Sequence, residues 1–261
     1  MQISIQSNKA TKQQSNNMTF EPIRIGNTVV RRTKTSTTAT TATTYEIKNE
    51  TSPHLINSLS KIITSTTAVN ATNVLTLRDY IKKTRHATEL HVALSLVKDF
   101  GKQMQALTAS GWSIACIGVD DVLVITHRTH DQFTHDSIND ADSTLGEADM
   151  DPQFLVLNDH LLFEVEADGT LNIDHALPKP KQAFMSPELK QLLHGPPVMP
   201  MQLHFKTIFY SAAQLIIYFL LNVDEIPEDP EYLNPIKHTS MYWFLLRCLN
   251  PVPADRKYVY I

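Results

Sequence analysis

Thr207-Ile208-Phe209-Tyr210-Ser211-Ala212-Ala213-Gln214-Leu215-Ile216-Ile217-Tyr218-Phe219-Leu220-Leu221-Asn222-Val223 runs without a single charged residue. A helix apolar on every side is buried either in protein or in lipid. Spanning a bilayer takes about 20 apolar residues, and Tyr210, Ser211 and Gln214 interrupt this shorter run. A central core helix is therefore the expected reading, with a small membrane-attached protein as the alternative. Upstream, Phe184-Met185-Ser186-Pro187-Glu188-Leu189 opens a short helix. Downstream, Ser240 to Cys248 supplies another, with Trp243, Phe244, Leu245 and Leu246, before Pro251-Val252-Pro253.

Further upstream, Ala93, Leu96, Val97, Phe100, Met104 and Leu107 recur every three or four residues between Glu89 and Ser110. That period predicts an amphipathic helix with one buried stripe. Ile114 to Ile117, Asp121 to Ile125, Phe154 to Val165 and Thr170 to Ile173 read as strands, with a turn at Asp168-Gly169. Leu75, Leu77, Tyr80 and Ile81 suit a short helix. Residues 126–152 form a polar, acid-rich insertion, longer than loops in compact domains usually are.

The first 72 residues are rich in Ser, Thr, Asn and Gln, and Thr33 to Thr44 is almost entirely Thr, Ser and Ala. Ile23-Arg24-Ile25 and Val29-Val30 read either as a strand or as a hairpin around Gly26-Asn27. Tyr45 to Lys48 predicts one further strand, and Leu55, Leu59, Ile62 and Ile63 a helix entered at Ser52-Pro53. This is thin material for a core, so the expected division is a reduced amino-terminal part, 1–72, whose Thr-rich segment reads as disordered, and a main body, 73–261.

Composition closes several routes. Hydrophobic residues make up 42% of 261 and charged residues 19%, and the net charge of −4 gives no electrostatic reason to expect nucleic acid. Lys179, Lys181 and Lys190 are dispersed like a solvated face, and Met185, Met199, Met201 and Met241 suit core filling. Cys116 and Cys248 are far apart and lack metal spacing. With no apolar leader in Met1 to Asn17, they predict reduced thiols in an intracellular setting, cytoplasmic or nuclear. Seven glycines occur, none within six residues of another. A loop that cradles phosphate with backbone N–H groups needs closely spaced glycines, and none can be written here. His127, His130, His135 and Asp136 cluster within the acidic insertion rather than on short fixed elements, which a structural zinc site would need.

The order of these elements resembles the C-terminal lobe of a protein kinase over roughly residues 73–261. Leu75 to Ile81 is similar to the segment after the kinase hinge, helix 89–110 to the long helix before the catalytic loop, and Gly111 to Val124 to that loop and its following strand. Ser186-Pro187-Glu188 resembles the end of the activation segment, and Tyr210-Ser211 the aromatic-Ser pair of the central helix. Cys248-Leu249 and Pro253-Ala254-Asp255-Arg256 resemble the terminal Cys-Leu and Pro-x-x-Arg pattern. The resemblance implies an α+β, kinase-like fold with a mainly helical C-lobe and a reduced, β-rich N-lobe. It further implies a buried ion pair between Glu188 and Arg256. The shrunken N-lobe resembles that of kinase-like proteins carried by large DNA viruses.

Phosphoryl transfer needs a base, metal-holding oxygens, a phosphate-clamping Lys and a covering loop. The resemblance puts Ile114, Ala115 and Cys116 where active kinases have His-Arg-Asp, and Ile208 where the central helix has its buried Asp. Asp121 falls at a metal-ligand position, with Asp120 beside it. Asn158 or Asp159 falls at the second metal position, and Lys48 is the one candidate clamp. The implied function is a catalytically impaired pseudokinase that binds another protein, either a kinase or a kinase substrate, with no cofactor. A divergent active Ser/Thr kinase using ATP and Mg²⁺ through Asp120, Asp121 or Asp159 is the alternative.

Overall fold

A computed structural model describes residues 3–9, 21–36, 41–59, 62, 73–84, 90–126, 151–174, 183–194, 200–221 and 230–259. The histidine cluster at 127–136, nearly all of the acidic insertion, Ile63, Lys179, Lys181 and Met199 lie outside the described residues. The architecture is α+β, built from short antiparallel sheets and six α-helices among the described residues.

The chain opens with β1 (Ile3–Lys9), β2 (Ile23–Ile25), β3 (Thr28–Ser36) and β4 (Thr41–Lys48), which form one antiparallel sheet in the order β1-β4-β3-β2. The predicted hairpin turns at Gly26-Asn27, and Gly26 takes φ +57°, a left-handed conformation that costs glycine little. The Thr-rich stretch supplies ladder pairs such as Thr33 with Thr44 and Lys34 with Thr43. β-Branched threonine fits a pleated strand, so a segment whose composition alone suits disorder contributes to the sheet. Helix α1 (Pro53–Leu59) buries Leu55, Ile56 and Leu59.

The predicted helix over Leu75–Ile81 is a strand followed by a helix. Leu75 lies in β5 (Asn73–Thr76), opposite Val124, and α2 (Leu77–Thr84) begins only afterwards. Thr76 makes the break. Its hydroxyl oxygen accepts the Asp79 N–H at 3.1 Å while the hydroxyl donates to the Asp79 carboxylate at 2.9 Å, a cap that starts the helix there.

Helix α3 (Leu90–Ala109) buries the predicted stripe, and it also buries Asp99 and Gln103. Next come β6 (Trp112–Ile114), β7 (Ile117–Gly118), β8 (Val122–Thr126) and β9 (Gln153–Val156). β8 is the centre of a three-stranded sheet between β5 and β9. Its uniformly apolar sequence follows from burial on both faces. Val122 and Val124 with Phe154 and Val156 join the large helical core, while Leu123 and Ile125 with Leu155 and Leu157 join a second core beneath the amino-terminal sheet. β9 is an edge strand, and α3 finishes its hydrogen bonding. The Gln103 amide donates to the Val156 carbonyl at 2.7 Å and accepts its N–H at 2.9 Å, and the Asp99 carboxylate accepts the Phe154 N–H at 3.0 Å.

The strand predicted across Phe154–Val165 is broken by a 3₁₀ turn at Asp159–Leu161 before β10 (Leu162–Glu164), which pairs with β6. After β11 (Thr170–Ile173) come β12 (Ala183–Phe184), paired with β7, and α4 (Pro187–His194). β13 (Met201–His204) pairs with β11. Helix α5 (Thr207–Leu221) then passes through the large core with Ile208, Ala212, Leu215, Ile216 and Phe219 all buried in protein, and α6 (Ser240–Cys248) packs beside it. Among the described residues no helix is long and apolar enough to cross a membrane.

Burial raises the Asp99 carboxyl to about 6, against lowering by the Phe154 N–H and by Lys102 and Lys98. The folded chain therefore binds a proton more tightly than the unfolded one, and stability falls as pH rises through roughly 4 to 6. Asp99→Asn keeps the acceptor and removes the buried charge. It is expected to stabilise the protein at pH 7 by about 1–2 kcal/mol, with the advantage gone at pH 4. Urea unfolding at the two pH values checks both statements.

Candidate functional site

The loop between β6 and β8 is built as core. Ile114, Ala115 and Cys116 are all buried. Burial, together with the charge of Asp121, pushes the Cys116 thiol up to about 12, so it is neutral and no nucleophile at physiological pH. The backbone here is anchored from two sides. Ala115 N–H donates to the Leu161 carbonyl at 2.9 Å, and Ile117 N–H donates to Ser211 Oγ at 2.7 Å. Ser211 in turn donates to the Phe184 carbonyl. With apolar Ile208 also in α5, the hydroxyl of Ser211 is what ties that helix to this loop.

Two neighbouring carboxylates have separate fates. Asp120 points outward and accepts a fork from Arg78, at 2.5 Å from Nε and 2.9 Å from Nη2. Asp121 points inward. Its Oδ2 accepts the Gly118 N–H at 2.6 Å and its Oδ1 accepts the Asn158 amide at 2.6 Å. Burial pushes the Asp121 carboxyl above its ordinary value despite these two donors.

Asp159 sits at the 3₁₀ turn after β9 and is clasped by the tip of the β2–β3 hairpin. Asn27 donates its backbone N–H to Oδ1 at 2.9 Å and its side-chain amide to Oδ2 at 3.0 Å, and the Thr51 hydroxyl donates to Oδ2 at 2.5 Å. Burial opposes the charge, but the Thr51 hydroxyl, the Asn27 N–H and the Asn49 and Asn27 side chains together hold the carboxyl below its ordinary range. The clasp extends through Thr28, whose hydroxyl donates to the Leu157 carbonyl at 2.8 Å and accepts the Asn49 amide at 2.8 Å. Gly26 permits the approach: a Cβ there would stand 2.5 Å from Asp159 Oδ1.

Ile47 faces the second core, so Lys48, one residue on, occupies the opposite and exposed face of β4. It pairs with Glu46 at 3.1 Å and lines a surface groove with Asn27, Val29, Arg31, Glu50 and Thr51. The structure thus brings Asp121, Asn158 and Asp159 into one neighbourhood while Lys48 pairs with a residue of its own strand. Among the described residues, no group of three or more His, Cys, Asp or Glu side chains is gathered as a metal site would require.

Glu188 and Arg256 meet. Arg256 is wholly buried and donates from Nη1 at 2.5 Å and Nη2 at 2.9 Å to the two carboxylate oxygens of Glu188. Its Nε donates to the Asn250 carbonyl at 2.8 Å, and its guanidinium lies 5.0 Å from the Tyr210 ring centre. Glu188 comes from the first turn of α4 and Arg256 from the 3₁₀ turn after α6. Desolvation works against the Glu188 charge, but Arg256 overcomes it and lowers the carboxyl below its ordinary value.

Sequence reasoning missed Asn27, Asn49 and Thr51 as partners of Asp159; it marked Ser211 as structural through the resemblance, and the structure gives that hydroxyl the Ile117 N–H and the Phe184 carbonyl as partners. The one available signal was the Gly26-Asn27 hairpin itself, which fixes a turn but not where its tip lands. No protein-family model matches the chain, and no curated protein matches it.

Proposed function

We propose that this chain is a catalytically silent, protein kinase-like module that acts by binding another protein. The observation that carries the reading is that each oxygen of Asp121 and Asp159, the carboxylates a kinase would devote to Mg²⁺, already accepts a hydrogen bond from the protein. Donors within the chain replace the cation's charge and fix the geometry that a cation would otherwise fix. Three further features agree. The catalytic-loop positions are apolar and buried, Lys48 pairs with Glu46 of its own strand, and Ile25, Val30, Tyr45 and Ile47 share one core with Leu123, Ile125, Leu155 and Leu157. The retained Glu188–Arg256 fork, by contrast, serves architecture and not chemistry.

A ligand that binds only the folded state raises stability by RT ln(1+[L]/Kd), about 2.7 kcal/mol at a hundredfold excess over Kd. Millimolar ATP with Mg²⁺ is expected to leave Tm unchanged. A saturable rise that Asp121→Ala removes would favour the divergent active kinase instead.

A further inference from the structure

Along one edge of its buried stripe, helix α3 presents the partly exposed Leu94 and Gly101, with Val97 buried between them. Leu90, Leu94, Val97 and Gly101 follow one another at spacings of four, three and four, which stacks them on one face over about 16 Å of helix. Leu90, at the start of this edge, is 53% exposed. Tyr258 closes one end: its hydroxyl donates to the Val97 carbonyl at 3.0 Å, and its ring lies against Gly101, where a Cβ would come within 3.2 Å of it. The missing side chain of Gly101 thus deepens the channel beside that ring. The result is a groove of about 420 Å³ lined by Leu94, Val97, Lys98, Gly101, Lys102 and Tyr258. Lys98 and Lys102 sit one turn apart along a single rim, while the opposite flank of the helix is sealed into the core.

From this geometry we infer that the α3–Tyr258 groove docks an amphipathic helix of a partner protein, with apolar residues on one face and carboxylates along the edge that meets Lys98 and Lys102. The inference rests on reading the chain as a protein-binding module. A helix laid in an apolar groove is recognised through anchors three and four residues apart, and the floor of this groove repeats at that spacing. The one-sided cationic rim fixes which way round the incoming helix lies, and selects acidic over basic sequences.

The test uses the full chain and two labelled synthetic peptides, each with four leucines spaced four, three and four apart. One carries glutamates on a single flank and the other carries lysines there. Fluorescence anisotropy is expected to show saturable binding of the glutamate peptide and at least about tenfold weaker binding of the lysine peptide at low salt. Lys98→Glu with Lys102→Glu should reverse that order, and Leu94→Glu should abolish binding of both. Lys98 is exposed and Leu94 and Lys102 are half-buried, so an unchanged circular dichroism melt is required of each variant to verify that it is folded. Equal binding of both peptides, or binding indifferent to Leu94→Glu, overturns the inference. So does concentration-dependent self-association lost in Leu94→Glu, which would make this face a contact between two copies of the chain. The groove's lining shares no residue with the partners of Asp121 and Asp159, so phosphotransfer by the unaltered protein would refute catalytic silence while leaving the peptide result standing.

Discussion

Glu188→Ala is expected to destabilise the protein by about 3–5 kcal/mol, because it strands a fully buried guanidinium without its carboxylate. In a chain of this length that corresponds to a fall in Tm of roughly 6–20 °C. Arg256→Met should cost less. The Glu188 side chain keeps 22% exposure and can regain water, and methionine refills part of the volume under Tyr210. The double variant should then cost clearly less than the sum of the two, a coupling that urea unfolding of all four proteins measures directly. The pH dependence follows from the lowered Glu188 carboxyl. The fork's contribution is complete above the ordinary glutamate value of 4.5 and disappears as pH falls through the lower folded value. A surface pair would show almost none of this, since exposed pairs contribute about 0–1 kcal/mol.

Asp159→Ala should destabilise the protein by about 2–3 kcal/mol with no metal or nucleotide present. The substitution takes away the acceptor for the Asn27 N–H, the Asn27 amide and the Thr51 hydroxyl together, and so unfastens the hairpin tip from β9. Asn27 and Thr51 lie near the surface and recover some hydration, which keeps the cost below that of the buried fork. A carboxylate held in reserve for a cation would behave in the opposite way: its removal from the metal-free protein would cost nothing. Stability contributed by Asp159 is present above its ordinary value of 3.8 and lost below it as the carboxyl protonates. Hydrogen exchange at residues 25–30 should accelerate in the variant, in step with the loss in urea unfolding.

Much of the architecture follows from periodicity. The stripe on α3, the unbroken apolar run of α5 and the alternation about Gly26-Asn27 each specify their element, because the hydrophobic repeat and the backbone repeat agree there. The reading fails where a short polar side chain decides the matter. Thr76 caps α2 and cuts off β5, although Leu75 and Leu77 both carry apolar character that suits either state. The 3₁₀ turn at Asp159–Leu161 interrupts what periodicity treats as one strand, and the Asn158 side chain holds it by accepting the His160 N–H at 3.0 Å. The burial of Asp99 and Gln103 in α3 has no local signal at all, since their partners are backbone groups of β9 some fifty residues away.

The site divides in the same way. Cys116 in an apolar loop is legible as buried from the residue types alone, while its reading as a lost catalytic position rests on the kinase resemblance. Asp121 and Asp159, as letters in a sequence, are compatible with a metal site, and only their surroundings turn them into structural acceptors. Lys48 shows the reverse. Its strand is legible, but which face it occupies depends on a register that places Ile47 in the core.

The most direct test is transfer of radiolabelled γ-phosphate from ATP, with Mg²⁺ or Mn²⁺, by the purified chain to itself and to a generic protein substrate. Incorporation no greater than that of Asp121→Ala is the predicted result. Incorporation well above that background, abolished by Asp121→Ala in a variant that is still folded, would contradict it.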